Sequence, residues 1–70
     1  MGMKVYINQE EIAIFAGARV KDAILAYSQE IWKKVSKGEL EVNDRFGNLT
    51  DPEGPIQEGQ HITLKRSKEI

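Results

Sequence analysis

Cysteine is absent from this 70-residue chain. With it go disulfides, a thiolate nucleophile and any zinc-thiolate site. A chain without thiols suits a reducing compartment, and a cytoplasmic location is expected. Long apolar runs are lacking as well, since nothing approaches the roughly 20 residues that span a bilayer. The N-terminus carries Lys4 and then a short alternating pattern, which is not the layout of a signal peptide. Met1-Gly2 would suit acylation, but Tyr6 stands where that motif has Ser or Thr. No contact with a membrane is expected.

Histidine and tryptophan each occur once, and the charges nearly cancel to a net −1. A single histidine, His61, has no serine or cysteine motif around it and no visible partner to orient it. General acid–base chemistry needs both, so His61 reads as an exposed histidine at the edge of a strand. No catalytic residue and no cofactor are expected. Asp44, Asp51 and Glu53 form an acidic group, but their spacing does not follow the alternating ligand order of a calcium loop. No metal is expected either.

What is present is a pattern of short elements. Met3, Val5 and Ile7 alternate with Lys4 and Tyr6, the period of a half-buried strand. Asn8-Gln9-Glu10 reads as a turn, and Glu11 to Phe15 as a second strand with Ile12 and Ile14 on one face. The period then changes. Val20, Ile24, Tyr27, Ile31 and Val35 recur at three- and four-residue spacing, predicting a helix over Arg19 to Lys37. Arg19 is a poor N-cap, so fraying of the first turn is expected. Gly38 is placed to end the helix, whose length is compatible with a break near Ser28-Gln29-Glu30.

Leu40 and Val42 open a third strand. Asp44-Arg45-Phe46-Gly47 and Asp51-Pro52-Glu53-Gly54 carry the residue preferences of type I turns. Asn48-Leu49-Thr50 between them is a short strand at most. Gln57-Glu58-Gly59-Gln60 turns the chain into a last strand, His61 to Arg66. Hairpin, helix and returning strand predict an α+β domain with a mixed sheet of four or five strands and one helix packed across it. This is the ubiquitin-like β-grasp architecture. Val5, Ile7, Ile14, Ile24, Ile31, Val42, Ile62 and Leu64 are the expected core. The length allows one domain, residues 1–70, with an ordered core over 3–66 and a flexible tail at 67–70. A domain this small buries only about 60% of its extended surface. Its core supplies roughly 3–5 kcal/mol of net stability.

Several short motifs bear a family resemblance. Lys4-Val5-Tyr6-Ile7-Asn8 resembles the opening strand and Asn-Gly turn of the ThiS/MoaD sulfur carriers, with Gln9 replacing the usual Gly. Gly17-Ala18-Arg19-Val20-Lys21-Asp22-Ala23-Ile24-Leu25 is similar to that family's helix start. Leu40-Glu41-Val42-Asn43 resembles its central strand, and Glu58-Gly59-Gln60-His61-Ile62 its last turn, with Gln60 where Asp is common. The resemblance implies a β-grasp fold. It also implies a carrier chemistry that needs a slim, flexible C-terminal Gly-Gly to enter an adenylating enzyme. Lys65 through Ile70 contains no glycine. The expected function is therefore a non-catalytic interaction module. The alternative is a sulfur carrier of thiamine or molybdopterin type whose Gly-Gly tail is lost or lies outside this sequence.

Charge is distributed unevenly. Arg19, Lys21, Lys33, Lys34 and Lys37 dominate one stretch; Glu39, Glu41, Asp44, Asp51, Glu53 and Glu58 dominate the next, against Arg45 alone. Lysines near a helix C-terminus complement its dipole and need no ligand. Without a recognised reader motif, and with an acidic half opposing the basic one, nucleic acid is not an expected partner. A protein is. Tyr6, Thr63 and Lys65 project onto the sheet face away from the helix and form the first candidate binding site. Trp32 lies about 80° from Ile24 around the helix and is the second candidate. The second strand should be a sheet edge able to accept an added strand. A monomer is expected.

Overall fold

The computed structural model describes residues 2–66. The expected tail at 67–70 lies outside the described residues. Two strands open the chain, β1 (Gly2–Ile7) and β2 (Glu10–Phe15). Two helices follow, α1 (Val20–Tyr27) and α2 (Gln29–Ser36), and then strands β3 (Leu40–Asp44) and β4 (His61–Arg66). The sheet order is β2-β1-β4-β3. The chain is thus α+β, with a mixed four-stranded sheet: β1 and β4 run parallel at its centre, and the flanking pairs are antiparallel.

The hairpin is closed by the shortest common loop. Ile7 pairs with Glu10, and both residues between them have positive φ, Asn8 at 51° and Gln9 at 72°. A two-residue loop of that kind matches the right-handed twist of the strands it joins. Asn8 also completes the sheet, because its Oδ1 accepts from Leu64 N at 2.9 Å where β1 has run out.

The helical segment is two helices rather than the expected one. Ser28 is extended (φ −169°, ψ 125°) and serves both sides of the break. Its N–H closes α1 on Ile24 O at 2.8 Å, and its Oγ accepts from Ile31 N at 3.2 Å to start α2. Serine is among the best N-caps, so a single residue ends one helix and begins the next. The break lies within Ser28-Gln29-Glu30, where the length of the segment allowed one. Gly38, at φ 84°, follows the end of α2.

The start of α1 corrects another expectation. Arginine has no side-chain acceptor, so Arg19 cannot cap the amides ahead of it. Its own N–H donates to Asp22 Oδ2 at 2.9 Å. The exposed first amides are met from far along the chain: Val20 N donates to Gly54 O at 3.0 Å and Lys21 N to Pro52 O at 2.9 Å. Glu53 adds ion pairs to Lys21 (3.2 Å) and Arg19 (3.5 Å). The Asp51–Gly54 turn therefore caps the helix, and no fraying need follow from a poor N-cap residue.

Both helices pack on one face of the sheet, α1 against β1 and β2 and α2 against β3. Val5, Ile7, Ile24, Val42 and Ile62 are buried as expected. Ile14, Ile31 and Leu64 pack against that core but remain half-buried. Ala18, Val20, Ala23 and Ile56 complete it. Ile56 comes from the long β3–β4 connection, and its N–H donates to Ala18 O at 3.1 Å. The same connection runs along the outside of β3. Leu49 bridges to Asn43, Thr50 N donates to Val42 O at 2.8 Å, and Asp44 N donates to Asn48 O at 2.9 Å. The edge at β3 is covered in this way. Among the described residues, the outer edge of β2 is not.

Candidate functional site on the open sheet face

Successive side chains of a strand alternate between faces. With Val5, Ile7 and Ile62 turned into the core, Tyr6 on β1 and His61, Thr63 and Lys65 on β4 project from the side without helices. The parallel register sets Tyr6 directly beside His61. Their rings stack, with centroids 4.6 Å apart and planes 12° from parallel. Both residues are half-buried. His61 is therefore not an exposed strand-edge histidine: β4 is an interior strand, and the imidazole is packed on tyrosine.

Thr63 and Lys65 continue the same face, opposite Asn43 and Glu41 of β3. Lys4 and Glu11 border the stack on its other side and are 3.5 Å apart. The structure thus gathers Tyr6, Thr63 and Lys65 on one surface, as the strand pattern predicts. Trp32 is not part of it. It lies on α2, half-buried against the core on the opposite side of the sheet.

Sequence reading missed two features bordering this face. Asn43 is only 4% exposed although it pairs with Thr63, and its Nδ2 has no acceptor among the described residues. Leu49, bridged to Asn43, is 75% exposed, and Phe46 in the adjoining turn is 78% exposed. The Arg45 guanidinium sits 5.7 Å from the Phe46 ring centre. A phenylalanine inside an Asp-x-x-Gly turn was the available signal, because a tight turn has no interior in which to bury it.

The acidic residues nearby are occupied in building turns. Asp44 Oδ1 accepts from Phe46 N at 2.8 Å and from Asn48 N at 3.0 Å. The Asn48 amide, then those of Phe46 and Gly47, together with the Asn48 side chain, hold the Asp44 carboxyl below its ordinary pKa. Asp51 Oδ1 accepts from Glu53 N at 2.9 Å. Among the described residues, no group of three or more histidine or acidic side chains is placed to hold a metal ion.

Such a surface offers aromatic area, a hydroxyl and a cation. No helix among the described residues is long and apolar enough to cross a membrane. Compared with family models, curated proteins and solved structures, the chain matches none.

Proposed function

We propose that this chain is a β-grasp interaction module, ThiS/MoaD-like in architecture, that binds a partner protein through the sheet face opposite its helices. The opening hairpin, the helical segment and a last strand inserted parallel to the first support the β-grasp reading. The observation that carries the function is the Tyr6–His61 stack on that face, flanked by Thr63 and Lys65. Aromatic side chains with a polar tip are favoured anchors at interfaces, since they offer large area at low entropic cost. The helices hold the face rigid from behind. Leu49 and Phe46 extend the apolar area at one border. Glu41, near Lys65, would tune the encounter rate more than the affinity.

Amide chemical-shift mapping with a partner isolated from native lysate tests this. Shifts should centre on Tyr6, His61, Thr63 and Lys65, and Tyr6→Ala should weaken binding by about 1–2 kcal/mol. Shifts confined to residues 44–54, with Tyr6 and Lys65 silent, would place the site elsewhere.

The short motifs shared with the sulfur carriers support a second reading, a carrier whose Gly-Gly lies outside the sequence. The 3′ end of the natural gene separates the two, because codons reaching a terminal Gly-Gly would favour the carrier. A polypeptide ending at Ile70 should form neither acyl-adenylate nor thiocarboxylate with ATP and an E1-like adenylyltransferase.

A further inference from the structure

The two edges of the sheet are treated differently. At β3 the 48–50 segment takes up backbone groups that would otherwise face outward. β2 pairs with β1 in an unbroken register from Phe15 to Glu10, and no described segment lies along its other side. Natural edges are guarded by lysine, proline, a bulge or a cover. β2 has none of these. Its charges, Glu10 and Glu11, stand at one end, and Ile12-Ala13-Ile14-Phe15 is uncharged throughout. On the open face Phe15 is 58% exposed.

We propose that β2 is a self-association edge, where two copies of this chain pair their β2 strands antiparallel about Ala13. The uncharged stretch of β2 is self-complementary about Ala13, which fits a second copy, and the charge pattern sets the direction. A parallel pairing in register would set the glutamates of one copy against those of the other. An antiparallel pairing sends the acidic end of each strand to the uncharged end of its mate. A continuous sheet also requires opposing residues to share a face, which restricts the two-fold axis to pass through a residue. An axis at Glu11 would oppose identical charges. An axis at Ile12 leaves Phe15 outside the pairing, and one at Ile14 leaves most of the strand outside it. An axis at Ala13 sets Ile12 against Ile14 on the helix side. On the open side it sets Ala13 against Ala13, and Phe15 against the stem of Glu11. A net charge of −1 adds little long-range repulsion between copies. One short strand covers less area than a permanent interface needs, so the dimer belongs to the transient class.

Sedimentation velocity of the chain alone, from about 10 µM to about 1 mM, tests the proposal without any partner protein. The wild type should pass from monomer to dimer across this range. Ala13 is exposed, and Ala13→Lys or Ala13→Glu places two like charges face to face on the axis. Each variant alone should dimerise at least about tenfold more weakly. Ala13→Lys also stands across from Lys4, and Ala13→Glu does not share that repulsion; circular dichroism checks the fold of both. An equimolar mixture of the two variants should restore dimerisation. A wild type monomeric throughout would overturn the proposal, as would variants that dimerise undiminished or a mixture that shows no rescue.

Discussion

Tyr6 and His61 lie ring over ring at the junction of the two parallel strands, 4.6 Å between centroids. The contact joins the first strand of the chain to the last described one. A stacked aromatic pair contributes about 0.5–1.5 kcal/mol beyond its area. Tyr6→Leu should lower stability by about that amount in a denaturant titration while the fold persists. The His61 ring protons should also move downfield in the NMR spectrum once the tyrosine ring current is gone. Unmoved resonances would mean the rings do not stack in solution.

Ile24 is fully buried, among the largest side chains of the core. Ile24→Ala removes its outer methyl and methylene groups and leaves a cavity, at a cost of about 2–5 kcal/mol. A domain of this size holds roughly 3–5 kcal/mol in total. The variant should be largely unfolded by circular dichroism at ambient temperature, and a cooperative melt near the wild-type midpoint would contradict the burial.

Gln9 occupies a left-handed conformation, φ 72°, that costs a side-chain-bearing residue about 1–2 kcal/mol. Glycine adopts it freely but loses more entropy on folding, about 0.5–1 kcal/mol. Gln9→Gly should therefore stabilise the chain by up to about 1 kcal/mol. Urea titrations of the two proteins measure the difference, and a loss of stability would show that the turn does not need positive φ at this position.

Asp44 contributes in one pH direction only. Its carboxyl is held below the ordinary value of 3.8, chiefly by the Asn48 amide. A group whose pKa falls on folding stabilises the fold above its unfolded pKa and loses that contribution as pH drops through the folded one. The Phe46 and Asn48 amides should thus lose protection from hydrogen exchange on acidification below 3.8. A carboxyl carbon of Asp44 titrating at or above that value would refute the assignment.

Legibility followed the range of the interaction. The strand alternation, the Asn8 turn, the Gly38 stop and both Asp-x-x-Gly turns are local. Gly47 N to Asp44 O (3.1 Å) and Gly54 N to Asp51 O (3.0 Å) close those turns as their residue types predict. The break at Ser28 was also within reach, because serine caps locally. The burial of Ile56 was not, since nothing near it repeats with a helical or strand period and its partner Ala18 is distant. The carbonyls of Gly54 and Pro52 that meet Val20 N and Lys21 N carry no residue signature, unlike the Asp22 carboxylate that accepts from Arg19 N. On the candidate face, alternation placed Tyr6, Thr63 and Lys65 together. The stacking of His61 required the parallel register, which neither strand encodes alone.

The carbonyls of Pro52 and Gly54 that meet the first amides of α1 also bear on the order of events during synthesis. A chain emerging from the ribosome presents α1 well before residues 52–56 exist to cap it and to bring Ile56 against Ala18. Isolated helices shorter than about 12–15 residues are marginal in water, so α1 gains its permanence only from the later segment. β4 follows that segment within a few residues and takes the central place beside β1. Emergence of residues 52–66 and completion of the fold are therefore nearly one step. A nascent chain stopped before Pro52 should remain open to chaperones and proteases along its whole length.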